Sequence, residues 1–386
     1  MSLRVLKFGG SSVANAGRIR NVAQIIAEQV RSGHDVVVVT SAMFGVTNKL
    51  IELTKEFDDS VFNREYDAVI STGEQVAAGL LALCLNSIGT KAKSLNAWQL
   101  PIITTGEFSN ASISEVDKSR IFEELGSGCV PVITGFQGIS GNGDIYTIGR
   151  GGSDATACAV ASAINADKCM IYTDVDGVYT ADPRVIMLSK RLSHISYDEM
   201  IALASNGAQV LQSKSVVIAK QYNVALSVLS SFIDKSGETV ITKKTSYLSS
   251  NYVVAGIAHN LNAATITLTD QQYDLQDLLE KTKYMSLIPT CEDCSSFVSY
   301  RTHLNDIKAS LEPAYSLAID TDVGIVTIAG KGIEVWPMLD EIISACLRSS
   351  DVSVKKIYSG IASKSVIVPF QQTVPALAAL HRMFFE

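Results

Sequence analysis

The first fifty residues alternate between strand-like and helix-like patterns, and this order constrains the fold more than any other feature of the chain. An apolar run from Leu3 to Leu6 predicts a strand, and apolar residues at helical spacing follow from Gly17 to Arg31. A second strand is predicted at Asp35-Val-Val-Val-Val39. Because this strand is β-branched and apolar on both faces, it suits a parallel sheet buried under helices. The sequence therefore predicts a βαβ unit of an α/β fold.

The same alternation continues to about residue 229 and predicts an α/β domain with a mainly parallel central sheet between helices. Helical patterns are found at 65–87, 115–125, 155–163, 196–204 and 209–222, and strand patterns at 91–95, 102–104, 130–133, 169–173 and 225–229. A polar stretch without periodicity follows from Lys243 to Asn251 and predicts a linker. We therefore expect two domains, at 1–243 and 252–386.

Beyond this linker the predicted elements run strand, helix, strand, strand, helix, strand. This split βαβ order fits about twice into 252–386, with one of its helices expected at about 275–283. The sequence therefore predicts two ferredoxin-like α+β units. The two halves of the segment are expected to be weak structural repeats of each other.

Charge and hydropathy exclude several classes of function. The net charge of −7 and the lack of a basic stripe argue against nucleic acid as a partner. Apolar runs end well before the roughly 18 residues of a membrane span, so no membrane is expected. Most of the seven cysteines lie in apolar segments, and no leader pattern opens the chain, which predicts a cytoplasmic protein. The isolated pair Cys291 and Cys294 lacks further metal ligands nearby, so we predict no metal-ligating residues.

A loop with two glycines follows the first strand, as Lys7-Phe-Gly-Gly-Ser-Ser12. Bare backbone N–H groups, two hydroxyls and a lysine suit a phosphate group. The lysine precedes the glycines, so the loop is not a P-loop. From these residues alone, both a phosphate site and an ordinary tight turn remain open.

A second glycine-rich segment, Thr147-Ile-Gly-Arg-Gly-Gly-Ser-Asp154, opens a helix of small apolar residues. Ser153 or Asp154 would cap that helix, and Arg150 with the glycines would also form an anion site at the helix N-terminus. These two interpretations are compatible. In the helical pattern 65–87, Glu74 fits either a solvated charge or a site residue.

Two further segments follow predicted strands at their carboxyl ends, where open α/β sheets bind ligands. Ser41 and Thr47 come after the second strand, and a polar loop from Asp174 to Arg184 comes after the strand at 169–173. Such a long polar loop is more often a site than a connection. Its Asp-x-Asp-Gly fragment does not predict calcium, because the glutamate that closes an EF-hand loop is absent.

Six segments, in this order and spacing, together resemble the aspartokinases of the amino acid kinase family. The resemblance is dense over residues 3 to about 242 and looser beyond. The segments are Lys7-Phe-Gly-Gly-Ser-Ser-Val13, Ser41-Ala-Met-Phe-Gly-Val-Thr-Asn48, Gly73-Glu-Gln75, Gly135-Phe-Gln-Gly138, Gly149-Arg-Gly-Gly-Ser-Asp154 and Tyr172-Thr-Asp-Val-Asp-Gly-Val-Tyr-Thr-Ala-Asp-Pro-Arg184.

The resemblance implies an amino acid kinase fold followed by two ACT-type domains. It implies transfer of the ATP γ-phosphoryl group to the side-chain carboxylate of L-aspartate, with Mg²⁺, to give 4-phospho-L-aspartate. That reaction is the first step toward lysine, threonine and methionine. The nucleophile is already ionised at pH 7, so positioning and charge stabilisation suffice and no catalytic histidine is needed.

The resemblance also implies roles for individual residues. Lys7 and Asp174 are the expected catalytic residues. The expected aspartate-binding residues are Ser41, Thr47, Glu74, Arg150, Gly151 and Asp154. The expected nucleotide-binding residues are Lys7, Gly9, Gly10, Ser11, Thr173, Asp174, Tyr179, Asp182, Arg184 and Gln209.

The chain departs from the family pattern in several places. Gln209 stands where many relatives have a lysine near the nucleotide phosphates, and Phe44 replaces a usual small residue. The expected effector loops, at 269–274 and 330–335, are also altered, which weakens the expectation of feedback inhibition by lysine or threonine. ACT domains usually pair through their sheet edges, so a homodimer or a higher homo-oligomer is expected.

Two alternatives to an aspartate-phosphorylating enzyme remain open on the sequence. One is another member of the amino acid kinase family, acting on a different acid or on UMP. The other is an amino-acid-sensing subunit without activity. The tandem ACT-like tail disfavours the first, and the intact Lys7, Glu74, Arg150 and Asp174 disfavour the second.

Overall fold

The structure is a computed structural model that describes residues 2–58, 63–208, 210–233, 237–243, 253–269, 278, 288–290 and 295–386. The chain forms two compact units. The first consists of Met1–Val178, Arg191–Tyr197 and Val210–Ser246, and the second of Tyr179–Lys190, Asp198–Gln209 and Tyr247–Glu386. Two segments that lie inside the predicted range 1–243 thus belong to the second unit.

The first unit is built on an eight-stranded sheet. Its strands are β1 (Leu3–Phe8), β2 (Asp35–Thr40), β3 (Ala92–Leu95), β6 (Val130–Thr134), β9 (Lys168–Thr173), β10 (His194–Ser196), β11 (Leu226–Ser230) and β12 (Thr239–Thr242). They lie in the order β10-β12-β11-β9-β1-β2-β6-β3. Each described pair is parallel except β11–β12, which is antiparallel. The predicted, mainly parallel sheet is confirmed.

Helices and a small second sheet complete the first unit. The helices are α1 (Ala16–Arg31), α2 (Val46–Lys55), α3 (Arg64–Ile70), α4 (Thr72–Ser87), α5 (Ser119–Gly126), α6 (Gly152–Ala163) and α8 (Ser213–Gln221), with a 3-10 helix at Gly10–Val13. The small sheet has the order β5-β4-β7-β8, from β4 (Ile102–Thr105), β5 (Ser112–Val116), β7 (Gln137–Ile139) and β8 (Ile145–Thr147).

Helix α1 shows how the sequence pattern becomes structure in this unit. The Asn15 side chain accepts a hydrogen bond from the Arg18 N–H group and caps the helix. Ile19, Val22 and Ile26 recur at helical spacing, are buried, and join strand residues in one apolar core.

Three helices have ends that differ from those predicted from the sequence. The helix expected at 115–125 begins only at Ser119, because Asp117 accepts a hydrogen bond from the Ser119 N–H and residues 112–116 form β5. The helix expected at 209–222 begins at Ser213, after an extended Gln212. The pattern at 65–87 is divided between α3 and α4 around Ser71.

Residues 64–87 form a stretch of helix whose length and hydropathy would allow it to cross a membrane. Half of its most apolar window is buried within the structure. The stretch also carries the buried carboxylates of Asp67 and Glu74. This combination is typical of a core helix, which passes the same test of length and composition.

The second unit contains two antiparallel four-stranded sheets, of the orders β13-β18-β20-β19 and β15-β16-β14-β17. The strands are β13 (Val253–Asn260), β14 (Ala263–Leu268), β15 (Ile288–Pro289), β16 (Ser296–Tyr300), β17 (Leu317–Asp320), β18 (Gly324–Lys331), β19 (Lys356–Gly360) and β20 (Ser363–Val368). The helices are α7 (Tyr197–Ser205), α9 (Leu304–Leu311), α10 (Leu339–Ser349) and α11 (Thr373–Phe385), with 3-10 helices at Arg301–His303, Ile333–Val335 and Phe370–Gln372.

These two sheets fit the predicted ACT-type domains, but the repeats are not successive halves of the segment. Strands β13 and β14 are separated by two residues, yet β13 pairs with β18 and β14 pairs with β16 and β17. The sheet that contains β14 is therefore inserted in sequence between two neighbouring strands of the other sheet. The helix expected at 275–283 lies outside the described residues, apart from Leu278, which is helical.

Candidate active site

The candidate site is a cavity of about 820 Å³ in the first unit. It lies at the carboxyl ends of β1 and β2 and at the start of α6, where the strand pattern and the two glycine-rich segments predicted a site. Of the predicted site residues, the following line it: Lys7, Gly10, Ser11, Ser41, Thr47, Glu74, Arg150, Gly151, Asp154 and Asp174.

Lys7 and Asp154 form an ion pair inside this cavity. The distance from Lys7 Nζ to Asp154 Oδ1 is 2.5 Å, and each side chain is almost fully buried. Lys7 is carried by β1, and Asp154 lies in the first turn of α6. Because little water reaches the pair, its charges are screened far less than those of a surface pair.

The glycines of the Lys7–Ser12 loop differ in what they contribute. A Cβ atom at Gly10 would lie 3.0 Å from the carbonyl oxygen of Ala42, so the loop packs closely against the segment after β2. A Cβ atom at Gly9 would meet only ordinary contacts. The Gly9 N–H donates to the carbonyl of Tyr172 at 3.1 Å, and Gly9 is not among the residues that line the cavity.

Glu74 is a buried carboxylate in the first turn of α4, with 3% of its surface exposed. Its Oε1 atom accepts a hydrogen bond from the Ala42 N–H at 3.0 Å, and Oε2 has no hydrogen-bond partner among the described residues. Burial raises the pKa of Glu74 to about 7, against the opposing effects of two backbone hydrogen bonds and of Lys7. Because Oε2 is unpaired in the described part of the chain, the ionised form of Glu74 can accept a bond from a cationic ligand group.

Arg150 lies in a turn between two glycines whose backbone is in the left-handed region. Gly149 and Gly151 have φ values of +79° and +71°. A Cβ atom at Gly151 would lie 2.4 Å from Gln212 Cβ, and one at Gly149 would lie 2.9 Å from the Ser109 carbonyl oxygen. Arg150 is exposed and has no ion-pair partner in the part of the chain that the structure describes, so its guanidinium group can take an anion.

Comparison with known proteins shows which family shares this arrangement. The amino acid kinase family model matches residues 2–230. The chain is 37% identical over 402 residues to the aspartokinase of Bacillus sp. strain MGA3, covering 100% of this chain and 97% of that one. It is 36% identical to the aspartokinase of Geobacillus stearothermophilus over 399 residues, with the same two coverages. The chain belongs to the aspartokinase family.

Solved structures of aspartokinases share the fold. E. coli aspartokinase III, in complex with aspartate and ADP, matches with a TM-score of 0.82 at 22% identity over 100% of both chains. The aspartate kinase of Synechocystis matches with a TM-score of 0.58 at 31% identity, over 99% of this chain and 69% of that one. The resemblance and the fold class drawn from the sequence are confirmed, and membership of the family makes the chain a kinase.

Several residues expected to bind the nucleotide in an aspartokinase do not line this cavity. The Thr173 hydroxyl donates to Asp174 Oδ1 at 3.0 Å, so it orients a residue that does line it. Tyr179, Asp182 and Arg184 belong to the second unit. There, hydrogen bonds from Arg184, with an Nη2–Oδ2 distance of 2.7 Å, lower the pKa of Asp182. Gln209, the segment 270–274, and Cys291 with Cys294 lie outside the described residues.

The structure adds residues to the wall of the aspartokinase cavity that the sequence did not single out, among them Tyr66, Ser109 and Gln212. Tyr66 lies on α3 and Ser109 in the turn between β4 and β5. Neither stands next to a glycine motif, so no local signal marks them. Gln212 immediately precedes α8, and its approach to Gly151 is visible only in three dimensions.

Proposed function

We propose that the chain is an ATP:L-aspartate 4-phosphotransferase, which forms 4-phospho-L-aspartate and ADP. The observation that carries the proposal is the set of charged groups around one cavity: the buried Lys7–Asp154 pair, Glu74 and Arg150. The cations suit two anionic reactants, and the carboxylates suit an ammonium group. The names of the relatives, and the aspartate and ADP bound in the E. coli structure, support the same substrates.

In the proposed reaction, an oxygen of the side-chain carboxylate attacks the γ-phosphorus of ATP. The bond from this phosphorus to the β,γ-bridging oxygen breaks, and ADP leaves with that electron pair. Lys7 stabilises the charge on the transferring group, and the glycine loop offers it N–H groups from Gly10 and Ser11, since that of Gly9 is held by the Tyr172 carbonyl. Arg150 holds the α-carboxylate of aspartate, while Glu74 and Asp154 accept from its ammonium group. Ser41, Thr47 and Gly151 complete the amino acid subsite.

In this site, Mg²⁺ would be held chiefly by the phosphates of ATP, with few protein ligands. No group of three or more His, Cys, Asp or Glu residues that could hold a metal is found within the described ranges. Mg²⁺ is commonly held by one or two carboxylates together with substrate phosphates. Asp174, at the cavity wall and hydrogen-bonded by Thr173, is the residue that would hold it. When bound, the ion neutralises charge on the phosphates.

The finer assignments follow from the same proposal. Thr173, Tyr179, Asp182, Arg184 and Gln209 form the proposed nucleotide segment, with Gly9, Gly10 and Ser11 near the phosphates. The second unit, with its two small sheets, is the proposed place for an amino acid effector such as lysine or threonine and for homo-oligomer contacts. E. coli aspartokinase III was solved with lysine and aspartate bound. We place the reaction at the start of lysine, threonine and methionine synthesis, in the cytoplasm.

The test is the formation of aspartyl hydroxamate from ATP, Mg²⁺, L-aspartate and hydroxylamine by the purified full chain. We expect hydroxamate with aspartate and none with glutamate or acetylglutamate as the acceptor, and no release of ADP from ATP when UMP is the acceptor. Adding lysine, threonine or both then tests feedback inhibition. Folded protein that forms no hydroxamate, but binds an amino acid, would favour the non-catalytic sensor, whereas activity with another acceptor would favour a different amino acid kinase.

A further inference from the structure

Asp67 is a completely buried carboxylate outside the set of residues proposed above to contact substrate. It lies on α3 and accepts four hydrogen bonds. Its Oδ2 atom accepts from the backbone N–H groups of Ser109, at 2.9 Å, and Thr147, at 2.6 Å. Its Oδ1 atom accepts from the hydroxyl groups of the same two residues, each at 2.8 Å. One side chain therefore fixes both the backbone and the side chain of two residues that are distant in sequence.

The two residues that Asp67 holds lie at the cavity wall: Ser109 in the turn between β4 and β5, and Thr147 at the end of β8, where the turn toward Arg150 begins. Ser109 has a φ value of +64°, a strained conformation for a residue with a side chain. The Ala111 N–H donates to the Thr147 carbonyl at 3.0 Å, which joins the two turns directly. From Thr147 the chain runs through Ile148 and Gly149 to Arg150. The position of Thr147 thus limits where the Arg150 guanidinium group can lie.

Lys214 holds the same two turns through their carbonyl groups. Its Nζ atom donates to the Ile148 carbonyl at 3.1 Å, and to the Ala111 carbonyl and Asn110 Oδ1 at 3.4 Å each. Burial lowers the pKa of Lys214. A buried carboxylate that accepts from N–H groups and a half-buried lysine that donates to C=O groups therefore fix one pair of turns. Buried charges are costly unless each is fully hydrogen-bonded, so this arrangement holds the backbone tightly.

We propose that Asp67 is a positioning residue for the amino acid subsite, acting through Ser109 and Thr147 to place Arg150. This inference rests on the proposed function, in which Arg150 holds the α-carboxylate of aspartate. Displacing a substrate-holding group by about 1 Å lowers the rate by as much as about 100-fold. Asp67 therefore contributes to the affinity for aspartate without touching it, and it contributes little to the affinity for ATP.

The test compares Asp67→Ala, Asp67→Asn and Glu124→Ala in the full chain. Asp67→Ala removes all four bonds, and we expect the KM for aspartate to rise roughly 10- to 100-fold, with the KM for ATP within about 2-fold of the native value. In Asp67→Asn, the amide oxygen can accept from the two N–H groups, and the amide NH₂ can donate to the two hydroxyl oxygens. We therefore expect this variant to restore the KM for aspartate to within about 3-fold of the native value.

Glu124→Ala is the matched control. Glu124 is also a buried carboxylate of the first unit, held by Lys93 at 2.7 Å and Arg120 at 2.8 Å, and it does not line the cavity. Both KM values should stay native in this variant. Folded Asp67→Ala with a native KM for aspartate, or with equal rises in both KM values, would overturn the proposal, as would the same selective rise in Glu124→Ala.

If Asp67→Ala does not fold, Ser109→Ala/Thr147→Val replaces it, since this double variant loses the two hydroxyl bonds and keeps the two backbone bonds. Its KM for aspartate should rise about 3- to 10-fold, and a native value would count against the proposal. Amide hydrogen exchange at residues 105–111 and 145–151, measured without substrate, tests the positioning role of Asp67 independently of the proposed function. We expect much faster exchange at Ser109 and Thr147 in Asp67→Ala. If that variant does not fold, the double variant should show a smaller increase, because the two remaining backbone bonds no longer have the hydroxyl bonds beside them. Unchanged exchange refutes the positioning role even if the native chain does not phosphorylate aspartate.

Discussion

At the level of single residues, the 2.5 Å ion pair between Lys7 and Asp154 fixes the position of the lysine ammonium group before any substrate binds. The pair is nearly excluded from solvent, so the lysine is held in place and its charge is poorly hydrated. Such a preorganised cation stabilises charge that develops during phosphoryl transfer without the cost of reorganising water. Lys7 differs in this respect from Arg150, whose guanidinium group is exposed and is proposed to act in substrate binding.

Lys7→Ala is expected to lower kcat about 10²- to 10³-fold with a smaller effect on the KM for aspartate, because the lost interaction belongs to the transition state. Arg150→Ala should show the reverse pattern, chiefly a raised KM for aspartate. Steady-state kinetics of both variants provide the measurement. Lys93→Ala, which breaks a half-exposed ion pair with Glu124 away from the cavity, is the control. Near-native turnover by Lys7→Ala would rule out the catalytic role of this lysine.

Glu74 predicts a pH dependence of aspartate binding. Burial raises its pKa to about 7, so the carboxyl group is mostly neutral at pH 6 and mostly ionised at pH 8. Since only the ionised form pairs with an ammonium group, the KM for aspartate should fall as the pH rises from 6 to 8. Glu74→Gln should have a higher KM that no longer changes over this range. An unchanged slope in that variant would assign the titration to another group.

At the scale of elements, helix α4 contains two glycines in opposite surroundings. A Cβ atom at Gly73 would lie 2.8 Å from Ala42 Cβ and 3.3 Å from a methyl group of Val46, so the helix approaches the Ser41–Asn48 segment as closely as glycine permits. A Cβ atom at Gly79 would meet no atom within 4 Å. Gly73 therefore serves packing beside the cavity, whereas Gly79 only weakens the helix.

We expect Gly79→Ala to stabilise the protein by about 0.5–1 kcal/mol, the difference in helix propensity between the two residues. Gly73→Ala should instead destabilise it by about 1–3 kcal/mol, because the added methyl group forces the neighbouring segment to shift. Thermal unfolding of both variants measures the two effects, and each serves as the control for the other. Equal shifts of the same sign would show that propensity, and not packing, governs both positions.

At the scale of the whole molecule, the chain passes between its two units more often than a single linker requires. The segment Tyr179–Lys190, which carries three of the proposed nucleotide residues, belongs to the second unit. Within it, the Thr180 carbonyl accepts from the Ile257 N–H of β13 at 2.7 Å, and Ala181 joins the apolar core of that unit. The proposed nucleotide segment is thus packed on strands and helices that lie far beyond it in sequence.

Thr180→Val tests this dependence in the full chain. The Thr180 hydroxyl accepts from the Lys190 N–H at 2.9 Å and lies 3.0 Å from Nε2 of the buried His381 on α11. Valine leaves both groups unpaired, so we expect the KM for ATP to rise about 3- to 10-fold and the KM for aspartate to stay native. Thr327→Val, which removes a buried Thr–Ser bond between β18 and β20, is the control. A native KM for ATP in Thr180→Val would show that the nucleotide site does not depend on this anchor.

Local patterns in the sequence determined much of the first unit and much of its site. The strands β1, β2 and β9 follow from short apolar runs, and α1 follows from its spacing and its Asn15 cap. The turns that place Gly10 and Arg150 at the cavity follow from glycines beside strand and helix ends. Each of these signals acts between residues close in sequence, and for that reason each can be read from the sequence.

Contacts between residues that are distant along the chain could not be read from these local patterns and are seen in the folded structure. Asp67 reads as one more polar helix residue, and its two partners lie 42 and 80 residues further on. The pairing of β13 with β18 across an inserted sheet, and the assignment of Tyr179–Lys190 to the second unit, likewise leave no trace in periodicity. Periodicity reports which face of an element is buried, whereas its partner is chosen by shape and by hydrogen-bond satisfaction in the folded chain.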